Sequence, residues 1–239
     1  MIIKAHVVFD FDLTLVASES LADMIELGLS GRGIAPALRP EALTVAAERA
    51  RSGKADLGEI ARLLGAVRYL RRSDVPVYVE RADRLVGNQV RRLFRELGDE
   101  DICVHILSSS YREWIAPLAV RWGVAPGNIL ANRFYWLGDR AIAARPSPLH
   151  SETGKSKVIR RWRAQRKFDK PVIMVGDSYA DYLPYGHGLV EGYISADYYR
   201  AIPQALEDRG VRRAGQFDDL PTMVRSLVVE LSNHKEKGS

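Results

Sequence analysis

The chain carries a single cysteine, Cys103, among its 239 residues. One thiol excludes an internal disulfide framework and suits a reducing cytosol, so a cytoplasmic location is expected. Long apolar runs are also missing. None reaches the roughly 18 residues that cross a bilayer, so no membrane partner is expected. The start, Met1-Ile2-Ile3-Lys4, runs directly into a short apolar stretch and reads as lacking a cleavable leader. Internal repeats and low-complexity tracts are absent as well, which excludes solenoids and long polar linkers.

What is present is ordinary for a soluble globular protein with a sizeable core: 46% hydrophobic and 27% charged residues. The length fits one large domain, or a core with a modest second unit. A net charge of +5 favours anionic partners, whether phosphorylated metabolites, nucleic acid or a membrane surface. Charge alone does not choose among them.

Three short apolar runs read as buried strands of a parallel sheet: Ile2 to Phe9, Ile102 to Leu107, and Pro171 to Val175. Each ends in a polar signature: Asp10-Phe11-Asp12, Ser108-Ser109-Ser110 and Gly176-Asp177-Ser178. Open parallel α/β sheets bind ligands at the carboxyl ends of their strands, so the three signatures converge on one site. Between the first two strands the sequence predicts helices at Glu19–Leu29, Pro40–Arg51, Asp56–Arg71 and Ser73–Leu97. Leu57, Ile60, Leu63, Leu64 and Val67 share one face of the third. An insertion of this length is too large for a loop and reads as a cap over the site. Further on, helices are expected at Tyr111–Trp122, Thr153–Lys167 and Asp218–Leu231. Residues 129–145 are expected to be extended around a turn at Leu137-Gly138-Asp139-Arg140, with a frayed tail from His234.

The pair Asp10 and Asp12 is the centre of the chemical reading. Residues i and i+2 of an extended segment point the same way, so two carboxylates face one pocket. Like charges so close call for a shared proton or a hard cation with oxygen ligands, magnesium above all. The pair can also divide phosphoryl transfer, one carboxylate attacking phosphorus and the other handling the proton. Asp177 supplies a further oxygen ligand, and Asp181, one helical turn on, braces it from behind. Ser108, with backbone N–H groups at a helix start, can hold a phosphate oxygen. Lys155 and Lys157 lie two apart near a helix start, so only one of them faces the pocket and neutralises phosphate.

Phe9-Asp10-Phe11-Asp12-Leu13-Thr14, Leu107-Ser108, Lys155 and Gly176-Asp177-x-x-x-Asp181 resemble, in order, the four motifs of the haloacid dehalogenase superfamily. The resemblance implies a Rossmann-like three-layer α/β core with a parallel sheet, formed by residues 1–17 and 97–239, and a helical cap at 18–96. It implies an Mg2+-dependent phosphatase acting on a small phosphorylated metabolite. Asp10 would become a phosphoaspartate, while Asp12 protonates the leaving oxygen and then activates water. Mg2+ would sit between the Asp10 carboxylate, the Asp12 carbonyl and Asp177, with Asp181 behind, and Ser108 and Lys155 would grip the phosphoryl group. Thr14, Ser109 and Glu19 complete the set as candidate substrate contacts.

The match extends to the phosphoserine-phosphatase-like branch through Val16-Ala17-Ser18-Glu19-Ser20, Ser52-Gly53-Lys54-Ala55-Asp56-Leu57 and Ala131-Asn132-Arg133. In that branch Glu19 matches the acidic residue that contacts the substrate amine. Two positions depart from it: Leu64 falls where a cap arginine is expected, and Ala180 replaces an asparagine. The expected substrate is therefore a small phosphomonoester other than phosphoserine.

Other residues read as structural. His6, His105 and Cys103 lie inside strands and are expected in the core, while His187, close after the metal motif, is a minor substrate candidate. The basic run Arg160 to Lys167 around Trp162 reads as the solvated face of a helix rather than as a nucleic-acid grip. Two rival functions stand beside hydrolysis: a phosphotransferase or mutase using the same aspartate, and a basic nucleic-acid-binding protein on the same fold.

Overall fold

The computed structural model describes residues 3–30, 42–43, 45–46, 49, 54–201 and 203–236. Six parallel strands form the central sheet: β1 (Ala5–Phe9), β2 (Ile102–Tyr111), β3 (Ile129–Asn132), β6 (Val172–Gly176), β7 (Gly192–Ala196) and β8 (Arg212–Ala214). Their order is β3-β2-β1-β6-β7-β8. With the antiparallel hairpin β4 (Phe134–Leu137) and β5 (Arg140–Ala144) set aside, this is the order of a Rossmann-like doubly wound sheet. The chain moves outward from β1 through β2 to β3, then returns to lay β6 on the other side of β1. The ends of β1 and β6 are thus the switch point where such sheets open a crevice.

Alternation along β1 divides the core in two. Val7 and Phe9 face a cluster with α3 (Val75–Asp99), α4 (Arg112–Arg121) and α8 (Leu220–Glu236) through Leu93, Ile115 and Val224. Val8 faces a second cluster with α5 (Gly154–Ala164) through Val158, Ile159 and Trp162, flanked by α6 (Tyr179–Gly186) and α7 (Gln204–Glu207). Strands β1 and β6 are buried on both faces, as their unbroken apolar runs require, and β7 is buried likewise.

Between β1 and β2 lie α1 (Ser20–Leu29), α2 (Leu57–Val67) and α3. Asp56 caps α2 in a capping box: its carboxylate accepts the Glu59 N–H at 2.7 Å while Glu59 accepts the Asp56 N–H at 2.9 Å. The helix expected over Pro40–Arg51 falls mostly outside the described residues; residues 42–43, 45–46 and 49 are helical, with Leu43 and Ala46 buried. The long helix α3 runs unbroken through residue 96. Its far end belongs to the sheet layer, where Phe94 packs its ring 5.5 Å from that of Phe9.

Some expectations need correction. The shared apolar face of α2 is only partly covered: Leu63 and Val67 pack against the core, while Leu57 and Leu64 are 86% and 66% exposed. Strand β2 continues past Leu107 to Tyr111, with a register shift against β3 over that stretch. Helix α8 continues to Glu236, so the tail does not fray from His234; residues 237–239 lie outside the described set. Cys103 is half-buried rather than in the core, its sulfur accepting from Asn128 at 3.3 Å. His6 and His105 are core residues, and Trp162 is buried while Arg160 and Arg161 face solvent. No helix among the described residues is long and apolar enough to cross a membrane.

Candidate active site

Strand β1 delivers Asp10 to the carboxyl edge of the sheet, where its N–H still bonds to Val175 of β6 at 2.9 Å. A tight turn follows. The N–H groups of Leu15 and Val16 both reach back to the Phe11 carbonyl, and Leu13 adopts a left-handed φ of 53°. This turn carries Asp12 beside the start of α1, where its Oδ1 accepts the Ser20 N–H at 3.1 Å.

Strand β6 delivers Asp177 next to Asp10, and α6 begins two residues later. Asp181, in its first turn, closes a capping box on Ser178: its Oδ2 accepts from Ser178 N at 3.0 Å and from Ser178 Oγ at 2.5 Å. Gly176 is what allows this approach, since a Cβ there would meet Asp181 Cγ at 2.2 Å. Carboxylate oxygens of Asp10, Asp177 and Asp181 all lie within 4.8 Å of one another.

Lys155 reaches this cluster from the first turn of α5 and is 3% exposed, whereas Lys157 faces solvent. The structure therefore resolves which lysine turns inward. Its Nζ donates to Asp181 Oδ1 and lies 2.8 Å from Asp10 Oδ1. Lys155 is thus shared between two carboxylates, and its charge is the direct partner of Asp10 Oδ1. Gly154 seats this helix start against the Pro148 carbonyl, which a Cβ would approach to 2.2 Å.

Burial dominates the electrostatics. It pushes the Asp10 carboxyl up to about 6, against the lowering pull of Lys155. It pushes Asp177 up to about 7, aided by Asp181. Asp12 is raised well above the usual carboxylate range by burial and by the charge of Glu19. Burial works against the charge of Lys155, but Asp10 and Asp181 outweigh it and raise its pKa. The site therefore sets a carboxyl whose hold on its proton is strengthened by burial, Asp12, beside one paired with a cation, Asp10.

Asp10, Asp12, Glu19, Ser109, Lys155 and Asp177 line one cleft of about 240 Å³. Two expected residues stand elsewhere. Ser108 lies inside the extended β2, not at a helix start, and its buried Oγ accepts the Ser110 N–H at 3.1 Å. Thr14 is fully buried and its carbonyl accepts from Tyr198 Oη at 2.7 Å. His187 is exposed, with Nδ1 3.1 Å from Ser156 Oγ. Sequence reasoning missed Arg200, whose guanidinium lies 2.6 Å from Asp177 Oδ2 and 4.0 Å from Glu19. Its loop carries no motif, and the bond from Tyr198 to the Thr14 carbonyl lays that loop against the turn after β1.

The haloacid dehalogenase-like hydrolase profile matches residues 7–183. The chain is 24% identical over 178 residues to the chloroplastic phosphoserine phosphatase of Arabidopsis thaliana, covering 73% of this chain and 57% of that one. It thus spans little more than half the length of the plant relative. It is 22% identical over 206 residues to the phosphoserine phosphatase of Drosophila melanogaster, covering 81% and 73%. A solved phosphoserine phosphohydrolase-like protein from Francisella tularensis superposes with a TM-score of 0.73 at 20% identity, over 92% of this chain and 99% of that one.

Proposed function

Since the chain belongs to the haloacid dehalogenase-like hydrolase family, we propose that it is a phosphatase that hydrolyses a small phosphate monoester through a phosphoaspartate at Asp10. The observation that carries this reading is the pairing of Asp10 with Lys155 beside a protonatable Asp12, all lining one cleft. A carboxylate oxygen of Asp10 attacks phosphorus as the bond to the alcohol oxygen breaks. The Asp12 carboxyl gives its proton to that oxygen, so the alcohol departs neutral. Asp12, now a carboxylate, takes a proton from water as the water oxygen attacks phosphorus, freeing phosphate and restoring Asp10. Lys155 holds Asp10 in its attacking rotamer and offers positive charge to the phosphoryl oxygens. Ser109 lines the same cleft and is a hydrogen-bond donor to phosphate. Ser108, one residue deeper, supports the bend of the strand through its bond to Ser110.

The donor set suits a hard divalent cation. Asp10 and Asp177 present clustered, buried carboxylate oxygens, acceptors of the kind such an ion takes. Asp10, Asp177 and the main-chain carbonyl of Asp12 would hold Mg2+, with Asp181 fixing Lys155 behind them. The ion would neutralise negative charge on the transferring group. Residues 18–96 are read as the cap that shapes the alcohol side of the site.

The test is phosphate release from a panel of phosphomonoesters, with and without Mg2+, comparing wild type with Asp10→Asn. The expected result is release that requires both, with a loss of about 10⁴-fold or more in the variant and a hydroxylamine-labile phosphoryl adduct on wild type. An Asp10→Asn variant with full turnover would sink the reading. Labelled water separates hydrolysis from transfer, since transfer to an acceptor hydroxyl leaves no label in phosphate.

A further inference from the structure

A second cavity, about 470 Å³, opens from the catalytic cleft and shares Asp12, Glu19, Ser109 and Leu149 with it. Beyond those shared residues its walls change character. Leu21 and Ile25 come from α1, and Leu63, Leu64 and Val67 from α2, with Tyr111 from the end of β2. Of the apolar face of α2, Leu63, Leu64 and Val67 border this chamber.

Its polar residues are poorly placed to receive a charged alcohol. Among the described lining residues, Arg145 and His150 are the possible cations. Arg145 donates from Nε to the Phe134 carbonyl at 3.2 Å and lays its guanidinium 4.9 Å from the centroid of the Tyr135 ring. His150 Nε2 lies 2.9 Å from the Arg145 carbonyl. At the junction with the cleft the Glu19 carboxylate stands beside the Asp12 carboxyl, and its charge repels an anionic group on the alcohol. An amino-acid alcohol would have to place its carboxylate past Glu19 and draw the Arg145 guanidinium off the Tyr135 ring to pair with it.

We propose that this chamber binds the alcohol portion of the substrate, and that the substrate is a phosphate monoester of an uncharged, apolar alcohol. The inference rests on the phosphatase reading above and adds the substrate class. An apolar cavity of roughly 150 Å³ accommodates a benzene ring, so the chamber has room for a body of roughly three such rings or a medium alkyl chain. Its volume lies in the range of sites that enclose small organic ligands. Burial of the alcohol against the leucine walls provides binding that the phosphoryl group, common to all monoesters, cannot provide.

The experiment is a kcat/KM series for n-alkyl phosphates from ethyl to octyl, with O-phosphoserine alongside, on wild type, Asp10→Asn, Leu64→Arg and Ile60→Ser. The expected result is a rise of about fourfold per added methylene until the chamber is filled, with O-phosphoserine below butyl phosphate. Leu64→Arg, at a solvent-accessible chamber wall, flattens the series and lowers the octyl-to-ethyl ratio tenfold or more. Ile60→Ser, on the same helix but outside the chamber, keeps the slope. Release that depends on Asp10 but is flat in chain length, or is fastest for O-phosphoserine, overturns this inference and leaves the phosphatase reading standing. No release that depends on Asp10 from any ester overturns both.

Discussion

Both ends of the central sheet bury polar side chains, and the two ends treat them oppositely. At the amino end, His6, His105 and Cys103 lie on adjacent positions of β1 and β2. A single tautomer choice satisfies most of them: His105 Nε2–H donates to His6 Nδ1 at 3.0 Å, and His6 Nε2–H donates to Asp169 at 3.0 Å. Phe168 packs within 5.2 Å of both imidazoles, leaving the cluster little room. At the carboxyl end, Asp10, Asp177 and Asp181 crowd like charges around one lysine and face an open cleft. The contrast shows how to tell a structural polar cluster from a chemical one. The first is internally paired and walled by rings; the second concentrates charge that its own members only partly offset.

The comparison breaks most sharply at Lys155. Lys155→Met leaves Asp10 and Asp181 buried without their cation, and is expected to cost about 3–5 kcal/mol of stability as well as nearly all turnover. Denaturant unfolding and phosphate release read the two losses separately. A variant of unchanged stability would mean that the acidic cluster is solvated rather than lysine-paired.

A smaller effect is expected at the amino end. Burial, together with the charges of His6 and Lys167, holds His105 down at about 3, below its ordinary 6.5. Between those values the unfolded chain binds a proton that the folded chain does not, so stability falls as pH drops from 6.5 toward 3. Protonation would also leave a buried Nδ1–H with no acceptor in place of an Nδ1 that already lacks a donor. His105→Leu should reduce the loss of stability between pH 6.5 and 5 by about 2 kcal/mol. Denaturation midpoints at the two pH values test this; equal slopes for variant and wild type would show that the imidazole is accessible to water.

The smallest expected effect sharpens the contrast by being nearly nothing. Cys103→Ser removes a half-buried sulfur held only by Asn128, and should change stability by about 0.5–1 kcal/mol and leave kcat/KM unchanged. A large loss of activity there would link the two ends of the sheet.

Much of this was legible beforehand for identifiable reasons. The runs at β1 and β6 are buried on both faces and that at β2 mostly so, so their signal is plain hydrophobicity, and each ends in the polar residues that mark a strand's exit. The capping aspartate at position 56 and the turn at 137–140, where Gly138 takes a φ of 56°, are local features with local signatures. The strands β7 and β8 were not legible: Gly-Tyr-Ile-Ser-Ala and Arg-Arg-Ala are short and mixed, and become strands because β6 offers an edge to β7 and β7 offers one to β8. Periodicity correctly placed five apolar residues on one face of α2 but could not say whether that face meets protein or a cavity.

The sequence by itself determined the chemistry: which carboxylates, lysine and strand ends exist and in what order, because those depend on local spacing and on apolar runs. Only the tertiary structure decided that Lys155 rather than Lys157 turns inward, that Ser109 rather than Ser108 lines the cleft, that Arg200 reaches Asp177, and that an apolar chamber lies beside the carboxylates. Each of these depends on which surfaces distant segments present to one another. Spacing along the chain fixes direction within an element, whereas proximity between elements is fixed by packing.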